Sequence, residues 1–211
     1  MITHIIWDFN GTVLDDVNMA VAAVNDMLVT RALPSTNVEA YRDTLTMPLT
    51  EYYKTVGIFT DDIPTLSQEF YACCEKHPEL ACVPKDVKDV LCAVRELGIC
   101  NVLMSSLHHE RLLSECARYG VDGYFSHIIG LPDRGLGSKQ ANAMRFLEQN
   151  GIEPKNVLFV GDLASDAQMA KAVGGECILI PRGHMSKERC VLEGVFVYDD
   201  FRQIIEHIKR A

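Results

Sequence analysis

From residue 84 onward, short apolar runs alternate with helical spans, and this alternation constrains the fold more than any other feature of the chain. The runs are 101–104, 127–130, 157–160, 177–180 and 195–197; the helical spans are 85–97, 110–119, 139–150, 166–173 and 201–209. Strands that are apolar throughout are covered on both faces, which is the condition of a parallel sheet flanked by helices. The pattern therefore predicts an α/β fold with a doubly wound parallel sheet. A further run, Ile5-Ile6-Trp7, belongs to the same sheet.

Between that first strand and residue 84 only helical periodicity is found, over 17–30, 37–45, 49–56 and 62–76, punctuated by Pro34, Pro48, Gly57, Pro64 and Pro78. The simplest organisation is a core formed by 1–14 and 84–211, with an all-helical cap, 15–83, inserted into it. The hinges are placed at Asp15-Asp16 and Val83-Pro84. No internal repeat or low-complexity tract interrupts this plan.

The chain has 211 residues, is 48% hydrophobic and carries a formal net charge of −9. That length supports a full core. The acidic balance disfavours nucleic acid and anionic membrane surfaces, which require clustered Lys and Arg. Asp8 interrupts the only candidate for a signal core, and no apolar run approaches the length of a membrane span, so a cytoplasmic protein is expected. The eight cysteines form no C-x-x-C pair and read as free, mostly buried thiols.

Several polar residues stand where such a sheet places its ligands, beyond the carboxyl ends of the strands. Asp8 follows the first strand and opens the turn Asp8-Phe9-Asn10-Gly11-Thr12. Ser105-Ser106 ends the 101–104 strand; its hydroxyls and amides suit phosphate oxygens, or else cap the next helix. Lys139 falls where a helix begins, in Gly137-Ser138-Lys139, and a cation there opposes the helix dipole unless an anion faces it. Asp162 ends the 157–160 strand and Asp166 lies one helical turn on; the pair suits a hard cation such as Mg²⁺, with helix capping as the other reading.

Taken in this order, strand-end Asp, strand-end Ser, helix-start Lys and Gly-Asp with a trailing Asp, the constellation resembles the haloacid dehalogenase superfamily, and the helical insertion resembles its phosphoglycolate phosphatase and β-phosphoglucomutase-like branch. The resemblance implies a Rossmann-like core and an enzyme, a phosphatase acting on a small phosphorylated metabolite. It implies that Asp8 is the nucleophile, forming an aspartyl phosphate, and that Ser105 and the Ser106 amide hold the transferring group. Lys139 would neutralise that group. Mg²⁺ would be bound by Asp8, the Asn10 carbonyl and Asp162, with Asp166 ligating or steadying it.

One position departs from the family pattern D-x-D-G-T: Asn10 stands where the second aspartate belongs. An amide cannot exchange a proton at neutral pH, so acid–base help typically worth about 10²–10⁴-fold is compromised and slow turnover is expected. His108, His109, Asp15 and Asp16 are the nearby titratable groups; the histidines read more simply as solvated, and the aspartates as hinge anchors. A binding or regulatory protein that keeps the metal site is the alternative, and carbon–phosphorus or carbon–halogen cleavage a third reading with little support. The segment 42–50 is the candidate specificity loop, with Arg42 facing either substrate or solvent. Neither the individual substrate nor the oligomeric state is legible.

Overall fold

The computed structural model describes residues 1–60, 62–132 and 138–210. In chain order, β1 (His4–Trp7) is followed by helices α1 (Val17–Val29), α2 (Val38–Thr44), α3 (Leu49–Thr55) and α4 (Ile63–Cys74). Alternation then sets in: α5 (Lys85–Glu96), β2 (Cys100–His108), α6 (His109–Tyr119), β3 (His127–Leu131), α7 (Lys139–Asn150), β4 (Val157–Gly161), α8 (Ala164–Val173), β5 (Glu176–Leu179), α9 (Lys187–Leu192), β6 (Phe196–Val197) and α10 (Arg202–Ile208). The six strands pair in parallel in the order β3-β2-β1-β4-β5-β6. The doubly wound α/β prediction holds.

Side-chain alternation along β1 feeds both faces of the sheet, as the two-residue period of a strand requires. Ile5 and Trp7 enter one core with Leu91 of α5, Leu112 of α6 and Ile204 of α10. Ile6 enters the other with Phe146 of α7, Ala170 of α8 and Cys190 of α9. Chain order reverses direction at β1, whose neighbours are β2 and β4, and this is the crevice where such sheets bind ligands. Trp7 pairs with Leu103 on one side and Val160 on the other, so Asp8, the β2 extension and Gly161-Asp162 leave the sheet at one level.

Helices α1 to α4 build a third apolar cluster around Val24, Met27, Leu28, Tyr52 and Leu66. Where the chain enters and leaves this block it runs side by side: Asp15 and Cys82 exchange two backbone hydrogen bonds, of 2.9 and 3.1 Å. Two details differ from expectation. β2 continues to His108 instead of ending at Met104, although its ladder with β3 loses register between Met104 and His108. Helix α9 was not predicted from sequence because its six residues bury only Cys190, which is too weak an apolar stripe to register. Of the cysteines, Cys82 is exposed, Cys92 and Cys100 are half-buried, and the other five are buried; all are free. Among the described residues no helix is long and apolar enough to cross a membrane.

Buried Asn101 fastens the first two strands to their helices. Its side chain accepts from the Trp7 indole at 2.9 Å and donates to the carbonyls of Leu91 at 2.9 Å and Tyr124 at 3.3 Å. Replacing it by Leu strands three buried polar groups, each costing about 1–3 kcal/mol when unpaired. Asn101→Leu is therefore expected to lower unfolding stability by at least about 2 kcal/mol in urea titrations followed by the fluorescence of Trp7, the chain's one tryptophan.

Candidate active site

Three carboxylates and an ammonium meet at the sheet's crevice. Oxygens of Asp8, Asp162 and Asp166 all lie within 4.8 Å of one another. Lys139, the first residue of α7, reaches across to donate to Asp8 Oδ1, and to Asp166 Oδ1 at 2.6 Å. Its ammonium thus faces the anions that the helix-start position called for. Ser138 caps the same helix by accepting from the Ala141 amide at 3.1 Å; Gly137 lies outside the described residues.

Each carboxylate is held from behind by backbone. The Asp8 amide donates to the Val160 carbonyl at 2.8 Å, continuing the β1–β4 ladder past the strand end. Asp166 presents Oδ1 to Lys139 while Oδ2 accepts from the amides of Leu163 at 3.1 Å and Asp162 at 3.3 Å, so it also caps α8. Capping and site roles, alternatives in the sequence, coexist in one side chain. Asp162 accepts from the His184 amide at 2.6 Å and from Thr12 Oγ1 at 3.4 Å. Gly11, at φ +74°, and Gly183 both pack directly on the Asp162 carboxylate, and a Cβ at either position would occupy its space.

Burial dominates the electrostatics. It pushes the Asp8 carboxyl up to about 6 against the pull of Lys139, and the Asp162 carboxyl up to about 8 against the pull of His184. Burial disfavours the Lys139 cation, yet Asp166 and Asp8 together hold its pKa above the ordinary lysine range. A donor set made of carboxylate oxygens, two of the three residues buried and Asp8 partly so, and short of positive charge, fits a hard divalent ion. Asp8, Asp162, Asp166 and the carbonyl of Asn10 are the groups that could hold it.

Sequence reasoning missed a pair behind this cluster. Asp16 is buried; its Oδ1 accepts from the Gly11 amide at 2.8 Å and faces His184 Nε2 at 3.1 Å, while Oδ2 accepts from the Asn10 amide group at 2.7 Å. The other His184 ring nitrogen lies 3.1 Å from the Tyr41 hydroxyl of α2. Burial alone would lower the His184 pKa, but Asp16, then Asp162 and Asp8, raise it to about 9. More than a hinge anchor, Asp16 fixes the turn after Asp8 and orients Asn10. The doubled Asp15-Asp16 and the Gly183-His184 dipeptide were the available signals; only the fold shows that they meet.

The remaining candidates are distributed unevenly. Ser105 is buried where the β2 ladder loses register, its Oγ accepting from the Leu107 amide at 3.1 Å. Ser106 and His108 line a cavity of about 780 Å³ between α4 and the β2–α6 corner. His109 is engaged in the fold: its Nδ1 accepts from the Gly130 amide at 3.3 Å. Arg42 corrects the reading of a solvated helix end. Its guanidinium donates to the Gly183 carbonyl at 2.7 Å and to that of Arg182, fastening α2 to the loop that carries His184. Helix α2 ends two residues later, so the carbonyls of that loop are the acceptors within reach.

The pH response follows from the signs of these shifts. Asp8, Asp162 and His184 all have folded pKa values above their ordinary ones, so the folded state holds more protons than the unfolded state and loses stability as pH rises. Chelator-treated protein is expected to melt at progressively lower temperature from about pH 5 to about pH 9, and Asp162→Asn to flatten the part of the decline below about pH 8. A melting temperature that climbs across that window contradicts the assignment.

Comparison with known proteins agrees with this geometry. The family model for haloacid dehalogenase-like hydrolases matches residues 5–180. A phosphoglycolate phosphatase of Pseudomonas putida is 28% identical over 95% of this chain and 78% of its own length, and one of Pseudomonas fluorescens is 25% identical over the same shares. In fold, a haloacid dehalogenase-like hydrolase from Streptococcus pneumoniae superposes with a TM-score of 0.85 at 16% identity, over 98% of both chains. The chain belongs to the haloacid dehalogenase-like hydrolase family.

Proposed function

We propose that this hydrolase is a Mg²⁺-dependent phosphatase for a small phosphorylated metabolite, working through an aspartyl phosphate on Asp8, and slowly because position 10 is Asn. The observation that carries the reading is the Lys139 ammonium bridging Asp8 and Asp166 beside Asp162 in one crevice. The curated relatives named phosphoglycolate phosphatases support it. In this reading residues 15–83 form a cap over a core of 1–14 and 84–211, with the paired strands at Asp15 and Cys82 as the hinge. The site of action is the cytoplasm.

A carboxylate approaching a phosphate dianion meets repulsion that must be offset before bond formation. Lys139 supplies a fixed positive charge to Asp8 and thereby to the arriving phosphoryl oxygens, while Ser105 and the Ser106 amide hold those oxygens at the β2 end. A bound Mg²⁺ adds charge neutralisation and orients nucleophile and phosphate. Phosphoryl transfer asks chiefly for this positioning and electrostatic support. Asn10 directs its N–H₂ to Asp16, which leaves its amide oxygen free to accept a hydrogen bond but supplies no proton to the leaving alcohol.

That amide also supports a second reading, a phosphate-ligand binding or regulatory protein that keeps the metal site. Assays with an aryl phosphate, with and without Mg²⁺, separate the two. Metal-dependent turnover is expected, lost in Asp8→Asn. Asn10→Asp, which places a carboxyl against Asp16 where the two share a proton, is expected to raise turnover of alkyl esters by up to about 10²-fold. Wild type inert in every condition, yet protected thermally by phosphate, establishes the binder instead.

A further inference from the structure

The chamber beside Ser106 carries information about the leaving group. It measures about 780 Å³, within the range that buries ligands of many atoms, and Ile63, Pro64, Tyr71, Ala72 and Leu131 give it a mainly apolar wall. A narrow cavity of about 40 Å³, lined by Asn10 and Asp16, shares Tyr71, Glu75 and Arg111 with it, so the chamber's wall continues to the turn that follows Asp8. A group esterified to a phosphate held at Ser106 extends into this space.

The charges around the chamber set the sign of what it accepts. Among the described residues, Glu75 and Glu110 face it, against the Arg111 guanidinium and the His108 ring. That guanidinium already lies 3.7 Å from Glu75 and 3.6 Å from Glu115, and stacks 4.0 Å above the Tyr71 ring. An acid group on the substrate would therefore meet carboxylates and a cation already balanced by them. Glycolate, a two-carbon acid, would leave most of the apolar wall wet and bring a charge of the wrong sign. An apolar group covers that wall and gains from its area.

We propose that the substrate is a phosphate monoester of a bulky, mainly apolar alcohol with no acid group, its leaving group seated against Tyr71 and the α4 wall of this chamber. The inference rests on the phosphatase reading for where the phosphoryl group sits, and it predicts a preference different from that in the names of the relatives.

Two esters with alkyl leaving groups test it on the full chain with Mg²⁺. Benzyl phosphate is expected to exceed phosphoglycolate in kcat/KM by at least about tenfold. Ala72→Trp, which fills the chamber from α4, is expected to bring that ratio close to one, with a far-UV spectrum like wild type confirming that the variant folds. Equal or faster turnover of phosphoglycolate overturns the proposal. Binding decides the matter independently of catalysis: benzylphosphonate is expected to raise the melting temperature more than phosphonoacetate at equal concentration. If neither ester is hydrolysed but that order of protection holds, the phosphatase reading fails and the chamber assignment stands. Reversed protection, or none by either phosphonate, sinks the chamber assignment.

Discussion

A buried ammonium shared by two carboxylates organises this molecule. Lys139 is placed at the start of α7, where the helix dipole repels it, and deep enough that losing water disfavours its charge. It stays charged because Asp8 and Asp166 arrive from two other elements. The arrangement is costly if any member is missing, since a buried charge without its partner is strongly destabilising. It also leaves the cluster short of positive charge, with Asp162 pushed up towards its neutral form. A divalent ion would relieve that shortage, because the donors facing it are carboxylate oxygens.

A second layer steadies the first. Asp16 accepts from the Gly11 amide, the Asn10 side chain and His184, and His184 passes the connection to Tyr41 of α2 and, through its amide, to Asp162. The Arg42 guanidinium donates to the Gly183 carbonyl, and Arg189 donates in return to the carbonyls of Arg42 and Leu45. The helical block is therefore joined to the rest of the chain both through the Asp15–Cys82 backbone pair and through this network. Movement of α2 relative to the core would be felt at Asn10 and Asp162, the two positions where the turn and the carboxylate cluster meet.

The wall formed by α4 is different in kind. Its neighbours across the chamber are Ser106, His108 and Arg111, and the space between them is mainly apolar with carboxylates at its edge. The carboxylate cluster thus gathers at the ends of β1 and β4 and the start of α8, while one wall of the chamber is supplied by a helix of the 15–83 block.

Much of the fold was legible because it follows from local periodicity. Buried parallel strands are largely apolar and helices repeat at 3.6 residues, so alternation alone implied the doubly wound sheet; strand-end placement then singled out Asp8 and Asp162, and helix-start placement Lys139 and Asp166. Short, weakly amphipathic α9 carried no such signal. Tertiary structure alone decided what meets what: that Arg42 clasps carbonyls of the loop before His184, that Asp166 both caps and pairs, and that Asp16 finds His184 168 positions away. Periodicity records which face of an element is buried, whereas a polar contact depends on distance and direction between elements, and those exist only once the chain has folded.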